Sequence, residues 1–460
     1  MKENKIYVLE SMPVPRAILN LAIPSVLSMM VNILYNLTDT FFIGKLNDPF
    51  QVAAVSISLP LFTLQMAMAG VFGIGGGSFL SRLLGRKDME AAKETLSTSV
   101  FSSAIISVVL GAIGILSIPW FLRMVGASGV TSQHATKYML YILIGSPVVL
   151  LKFTFVQLLR AEGAAKEAMI GLFIGTGANI LLDPVFIFGF NMGVTGAAVA
   201  TVVGNAAGML YYLIFYLRKN SLVPLTFKHM RFRWACYKEI LMIGIPASLS
   251  QVMLSVGNTI SFRLASAYSD IHVASLGVAS RVFTIPIFIF IGISIGIQAL
   301  VGYNYGAKKY QRMKQTIRTS MLFSLSISAV LTLLFALFPR ELIMIFIKDE
   351  EIVRIGTLTL QAYVYAIPIA AVGMIMMSSL QAMGKALPAL IVSLSRQGIM
   401  YIPAILILNN LFQFEGLVFA MPLADLLTSI LSTTMLIVIV RNLKQPKEKK
   451  LKVGAPIPET

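Results

Sequence analysis

Runs of apolar residues long enough to cross a bilayer recur along this chain, at roughly 17–43, 52–80, 95–121, 138–159, 168–189, 195–217, 239–267, 273–302, 317–338, 355–382, 387–408 and 416–440. A hydrocarbon core of about 30 Å needs ~20 consecutive apolar residues as a helix. Most of the runs are apolar throughout and far longer than a strand, which favours helices over a barrel whose strands alternate. The composition agrees: 57% of the 460 residues are hydrophobic and only 12% are charged, against about 25% charged in a soluble domain. The chain reads as an all-α polytopic membrane protein with twelve transmembrane helices. A soluble enzyme carrying one apolar tail is excluded. The first fifteen residues show no short apolar core with a cleavage site, so the first long helix is expected to act as its own insertion signal.

The net charge of +17 could suggest nucleic acid, but its placement gives another reading. Twenty-seven of the 37 Lys and Arg fall in the termini and the connections after even-numbered runs, and six in the opposite connections. That bias predicts that both termini, and the linker around 218–238, face the cytoplasm of a prokaryote's inner (plasma) membrane. A basic rim facing anionic headgroups accounts for the charge, and nucleic acid is not expected as a partner. One cysteine, Cys236, and three scattered histidines, His134, His229 and His272, offer no metal-ligand spacing and no intrachain disulfide. No cofactor and no enzymatic activity are expected.

Sliding the sequence against itself reveals a repeat near 221 residues. AIPSVLS (22–28) falls on GIPASLS (244–250), Gly75 and Gly85 on Gly296 and Gly306, Pro147 on Pro368, and LLRAEG (158–163) on SLQAMG (379–384). The chain therefore divides into an N-lobe of six helices, residues 1–223, and a C-lobe of six, residues 224–460, with a basic C-terminal tail. Because six is even, both repeats enter from the same side and are parallel, related by an axis along the membrane normal. Such lobes enclose a cavity and can rock about it, as alternating access requires, although duplication can also simply build a scaffold. Among the prolines inside runs, the repeat-related Pro24 and Pro246 are the better candidates for functional bends.

Only three acidic residues lie well inside runs: Asp39, Asp183 and Asp425. A carboxylate at membrane depth costs ~2.5–3.5 kcal/mol or more and usually faces a cavity or an ion path. At ~1.5 Å per residue, Asp39, Asp183 and Thr201 lie about 6, 9 and 10 Å from the outer ends of their helices, one level of the N-lobe. Asn179 precedes Asp183 by four residues, as Tyr35 precedes Asp39 and Thr201 precedes Asn205, so each pair shares a helix face. Converging oxygens of this kind could coordinate Na⁺, hold a proton through carboxylates of raised pKa, or form a satisfied structural cluster. Asp425 falls opposite Asn205 in the repeat, where its charge could attract cationic substrates. Arg281 and Arg396 look buried, paired structurally or capping the cavity floor rather than binding an anionic substrate. GIGGGS (73–78) lacks the following Lys-Ser/Thr of a phosphate loop and reads as close helix packing. Methionines such as Met374 and Met376 suit either an adaptable cavity or ordinary core.

NLTDTFFIG (36–44), SRLLGRKDMEAA (81–92), LLRAEG (158–163), NILLDPVFIFG (179–189) and GVTGAAVAT (193–201) resemble the multidrug and toxic compound extrusion (MATE) family, more narrowly its bacterial DinF/MepA-like branch. The resemblance spans about residues 15–440. It implies a V-shaped pair of six-helix lobes, substrates that are amphipathic and often cationic organic compounds, and export in exchange for Na⁺ or H⁺. It implies a cation site at Asp39, Asn179, Asp183 and Thr201, with Tyr35 nearby; Tyr35, Asn205 and Asp425 are the candidate substrate contacts, and a monomer in the lipid bilayer is expected. Acidic residues that other branches carry in helices 7 and 10 are missing here, so a C-lobe cation site of that type is not expected. A flippase for lipid-linked saccharides is the alternative of related fold, but it should need several Arg or Lys inside the N-lobe spans, where only Lys152 stands.

Overall fold

The computed structural model describes residues 2–127, 129–218, 220–226 and 232–443, and these are helical with no strand. His229 and the basic tail after residue 443 lie outside the described residues. The helices are α1 (Lys2–Glu10), α2 (Val14–Gly44), α3 (Pro49–Arg86), α4 (Met89–Met124), α5 (Gly129–Ile144), α6 (Ser146–Ala161), α7 (Ala165–Pro184), α8 (Val194–Leu217), α9 (Trp234–Ser266), α10 (Asp270–Gly306), α11 (Tyr310–Leu337), α12 (Pro339–Met344), α13 (Glu350–Val364), α14 (Ala366–Ala382), α15 (Ala386–Leu394) and α16 (Tyr401–Arg441). Their starts follow from local chemistry. Asp48 accepts from the backbone N–H of Phe50 and Gln51 ahead of Pro49, Asp88 caps α4, Ser269 caps α10 and Asp349 caps α13, each satisfying donors that have no intrahelical partner.

Eight spans are single helices: α2, α3, α4, α7 with its π-helical extension Val185–Gly189, α8, α9, α10 and α11. Two more are bent pairs, α5–α6 at 51° and α13–α14 at 46°. The last continuous helical stretch, Ala386–Arg441, has 56 residues, about 84 Å if straight, far beyond the ~30 Å of a bilayer core. Gln413, at φ 55° and ψ −137°, breaks it. Gly416 then lies directly against the Leu408 carbonyl, with the Asn409 nitrogen 3.1 Å from where a Cβ would sit. Residues eight apart in one helix would be about 12 Å apart, so the chain reverses there and makes spans eleven and twelve. The bends also fall at repeat-related positions, beside Pro147 and Pro368. This differs from the expectation at Pro24 and Pro246, through which α2 and α9 run as single helices.

Burial changes along the helices that join the lobes. In α2 the buried residues run from Val14 to Ser28, and after that only Ile43 is buried; in α3 burial is sparse before Gln65 and nearly continuous from Ala67 to Gly85. The beginning of α9 and the end of α10 are buried in the same way. The lobes therefore meet at the end where α2 and α9 start, and part toward the end where α2 finishes. At the closed end the contacts obey the repeat: Gly85 lies against the Tyr303 carbonyl and Gly306 against the Arg82 carbonyl, each pair shifted by 221 residues from the other. The glycine-rich stretch 73–78 sits inside α3 and packs against α4, α6 and α9, as the packing reading expects.

The short helix α1, before the first span, crosses this closed end. Glu10 accepts hydrogen bonds from Tyr303 Oη (3.1 Å) and Lys309 Nζ (3.1 Å) of the C-lobe and lies 3.7 Å from Lys87 Nζ of the N-lobe. The Lys309 hydrogen bond and charge hold the Glu10 carboxyl below the usual carboxylate range. Arg312 donates to the Met12 carbonyl at 2.6 Å, and Lys5 Nζ donates to the Asn220 carbonyl at 3.0 Å. Just past α6, Glu162 is fully buried and anchors the interlobe linker by accepting from Ser221 Oγ (2.5 Å), the Leu222 N–H (2.9 Å) and Tyr216 Oη (3.2 Å). Burial pushes its carboxyl up to about 7.

Candidate functional site

The N-lobe polar cluster forms where α2, α7 and α8 meet in the half of the molecule where the lobes part. Residue spacing places Tyr35 and Asp39 on one face of α2, Asn179 and Asp183 on one face of α7, and Thr201 and Asn205 on one face of α8. The close approach of α7 and α8 depends on Gly204, where a Cβ would stand 2.7 Å from Asn179 Cβ. That approach lets Asn179 Nδ2 reach across to Thr201 Oγ1 at 3.5 Å, while also reaching Asp183 Oδ1 at 3.4 Å. Tyr35 Oη joins from α2 with a 3.2 Å hydrogen bond to Thr201 Oγ1.

These hydrogen bonds are long, and they leave acceptors over. Asp183 is fully buried and Asn179 nearly so, yet Asp183 Oδ2 and Asn179 Oδ1 have no hydrogen-bond partner. Buried acceptors are seldom left without a donor, because the desolvation is then uncompensated. Asp39 is half-buried and close enough to Asp183 for the two carboxylates to repel each other. Tyr138 of α5 stands within electrostatic reach of Asp39, Tyr35 and Asp183, a member that sequence reasoning missed because a tyrosine in an apolar run carries no signal of which way it faces. The arrangement leaves acceptor oxygens without donors, and a cation or a proton would satisfy them.

Asn205 extends the cluster toward the closed end. Its Nδ2 donates to the Thr201 carbonyl at 2.7 Å, and its Oδ1 accepts from Lys152 Nζ at 2.9 Å. The Lys152 ammonium passes beside Gly175, where a Cβ would come within 3.2 Å of it. In the C-lobe, Asp425 is buried and paired with Arg396, which donates through Nε at 2.7 Å and Nη2 at 3.4 Å. The charge expected of a lone Asp425 is therefore offset by Arg396. Tyr401, beside this pair, shares a 2.7 Å hydrogen bond with Ser261 of α9. Arg281, which the sequence makes look buried, is exposed, because its position on α10 turns it out of the bundle. Met374 and Met376 are buried in the C-lobe core.

The MatE family description matches two segments of the chain, residues 24–185 and 246–406, offset by the same interval as the internal repeat. Multidrug export protein MepA of Staphylococcus haemolyticus is 30% identical over 432 residues, covering 94% of this chain and 95% of that protein. MepA of Staphylococcus aureus is 30% identical over 451 residues, covering 96% and 97%. Among solved structures, a MATE protein in complex with MaL6 superposes with a TM-score of 0.91 at 24% identity, over 96% of this chain and 99% of that one.

Proposed function

Because the chain belongs to the MatE family, whose description matches both halves of it, we propose that it exports organic compounds of varied structure in exchange for an inward-moving cation. Asp39, Asn179, Asp183 and Thr201 bind that cation. The observation that carries the reading is the pair of buried acceptors, Asp183 Oδ2 and Asn179 Oδ1, left without donors beside a second carboxylate. Na⁺ would draw on four or more oxygens there; a proton would convert one carboxylate oxygen into the donor the cluster lacks.

The 27-to-six distribution of basic residues supports a cytoplasmic closed end in a prokaryotic plasma membrane, so the cleft opens outward. In this state the coupling ion enters from outside and drug leaves. Alternating access then requires the ion and the drug to favour different states, since a ligand shifts an equilibrium only by its differential affinity. Filling the N-lobe site removes the repulsion between Asp39 and Asp183 and lets α2 pack more closely on α7. That shift narrows the space available to substrate in the N-lobe. Tyr35, Asn205 and the Asp425–Arg396 pair are the polar groups we assign to substrate, the bulk of whose contact is apolar.

Transport of a fluorescent organic cation into proteoliposomes tests this, with the Na⁺ gradient and the pH gradient imposed separately. At least one gradient should drive accumulation, and Asp39→Asn/Asp183→Asn should abolish it while the protein stays folded and inserted. A folded double mutant that still concentrates the dye at the wild-type rate would show that coupling lies elsewhere.

A further inference from the structure

Arg160 lies near the closed end of α6 and is 6% exposed. Its Nη1 donates to Gln157 Oε1 at 3.2 Å, but Nε and Nη2 are buried and without a hydrogen-bond partner. It makes no ion pair among the described residues. The nearest acid along the chain, Glu162, already accepts from Ser221, Leu222 and Tyr216. A buried guanidinium with no counter-charge keeps its desolvation cost uncompensated.

Arg160 lines a small cavity with Gln157, Gly73 and Ser81 of the N-lobe and Gln298 of the C-lobe helix α10. The cavity has room for about one water-sized occupant. No Asp or Glu lines it. Gln157 uses its side-chain oxygen on Arg160, which leaves its amide N–H groups as further donors. The polar part of the lining carries donors and no acid, and it includes an unpaired positive charge. A water could accept one of the free N–H groups but would leave the charge uncompensated; an anion does both, through the charge-assisted bonds a guanidinium forms best.

We propose that the protein binds one small monovalent anion, chloride in size and charge, between the lobes at Arg160, Gln157 and Gln298. Because α10 supplies one wall, the site is complete only while the lobes meet at the closed end, and the anion acts as a removable pin across that contact. The site does not depend on which cation drives transport, and its test needs no transport.

Thermal unfolding of the purified full-length protein in potassium chloride and in potassium gluconate, at equal ionic strength, reads the effect. Chloride should raise Tm by a few degrees in a saturable way, as a ligand selective for the folded state does. Arg160→Gln should abolish that difference and Gln298→Leu should reduce it. Equal Tm values in the two salts, or an undiminished chloride shift in Arg160→Gln, would refute the proposal. Should Arg160→Gln fail to fold, wild-type crystals grown in bromide decide the matter. An anomalous peak within hydrogen-bond distance of Arg160 Nε or Nη2 supports the site, and its absence there refutes it.

Discussion

The glycines exchanged between the lobes offer a direct handle on the closed end. A Cβ at Gly85 would stand 2.8 Å from the Tyr303 carbonyl carbon and 2.9 Å from the Ala307 nitrogen; one at Gly306 would stand 2.8 Å from the Arg82 carbonyl carbon. Carbon atoms pack at about 3.5–4.0 Å, so Gly85→Ala or Gly306→Ala forces two backbones apart by roughly 1 Å. Backbone cannot rotate out of the way as a side chain does, and overpacking of this kind costs ~1–3 kcal/mol. If that cost falls on the closed end alone, the equilibrium for parting the lobes there shifts about 5- to 150-fold, at ~1.4 kcal/mol per factor of ten. Cys236 reports the opening. It is the protein's only cysteine, it is buried on α9, and it packs against Val71, Phe72 and Thr95 of the opposite lobe. Its rate of modification by N-ethylmaleimide in detergent should rise by that factor in either variant, with the protein still monodisperse. Gly44→Ala, where a Cβ meets nothing within 4 Å, should leave the rate unchanged. Wild-type rates in both Gly85→Ala and Gly306→Ala would refute the claim that these contacts hold the closed end together.

Other perturbations follow from the same geometry. Asp425→Asn or Arg396→Met alone should destabilise the protein by ~3–5 kcal/mol in detergent unfolding by leaving a buried charge unpaired, and Asp425→Leu/Arg396→Met should recover most of that loss; costs below about 1 kcal/mol for both single changes would show the pair to be solvated. Asn179→Ala should preserve transport but raise the ion concentration for half-maximal rate roughly tenfold, the worth of about one hydrogen-bond-sized ligand; an unchanged concentration dependence would remove Asn179 from the site. Glu162, with its carboxyl raised to about 7 by burial, binds a proton more tightly folded than unfolded. Its contribution to stability is therefore fullest below about pH 4.5 and declines as pH rises toward about 7, so Tm should fall across that window and Glu162→Gln should flatten the slope. A slope unchanged in Glu162→Gln would place the titration on another group.

The spans, the repeat and the acidic residues of the N-lobe could be read from the sequence because each rests on a large, local energy. Twenty apolar residues cannot be hidden in water, and a carboxylate such as Asp183 in an apolar run has to be explained. The i, i+4 spacing of Asn179 and Asp183 fixes a shared face whatever the rest of the chain does. What escaped the sequence depends on how helices are rotated against each other. Arg396 and Asp425 are 29 residues apart on either side of a chain reversal at Gln413, and nothing in either run marks the partner. Lys152 meets Asn205 only because Gly175 and Gly208 leave room between α7 and α8. Arg160 counts as one more basic residue at a span's end until its neighbours are known. The prolines carry a similar lesson: α2 and α9 absorb Pro24 and Pro246, while the large bends fall at Pro147 and Pro368, where a break in the helix already separates two segments.

The two lobes agree where they touch and differ where they carry charge. Gly85 with Tyr303 and Gly306 with Arg82 are one contact written twice, so each lobe's helix presents the same close backbone approach to the other. The polar sites do not share that symmetry. Neither N-lobe carboxylate has an acidic counterpart in the C-lobe, because the 221-residue shift carries Asp39 onto Ile260 and Asp183 onto Ala404. Asp425 answers to Asn205, and each is held by a cation of its own lobe, Arg396 and Lys152. In the C-lobe the cation meets a carboxylate and the charges cancel; in the N-lobe Lys152 is held by a neutral amide, and the carboxylates of Asp39 and Asp183 stand apart from it without a proton donor for Asp183 Oδ2. Duplication accounts for the paired contacts at the closed end, and the divergence of the buried charges leaves the N-lobe cluster, among the described residues, with acceptors that a cation or a proton would satisfy.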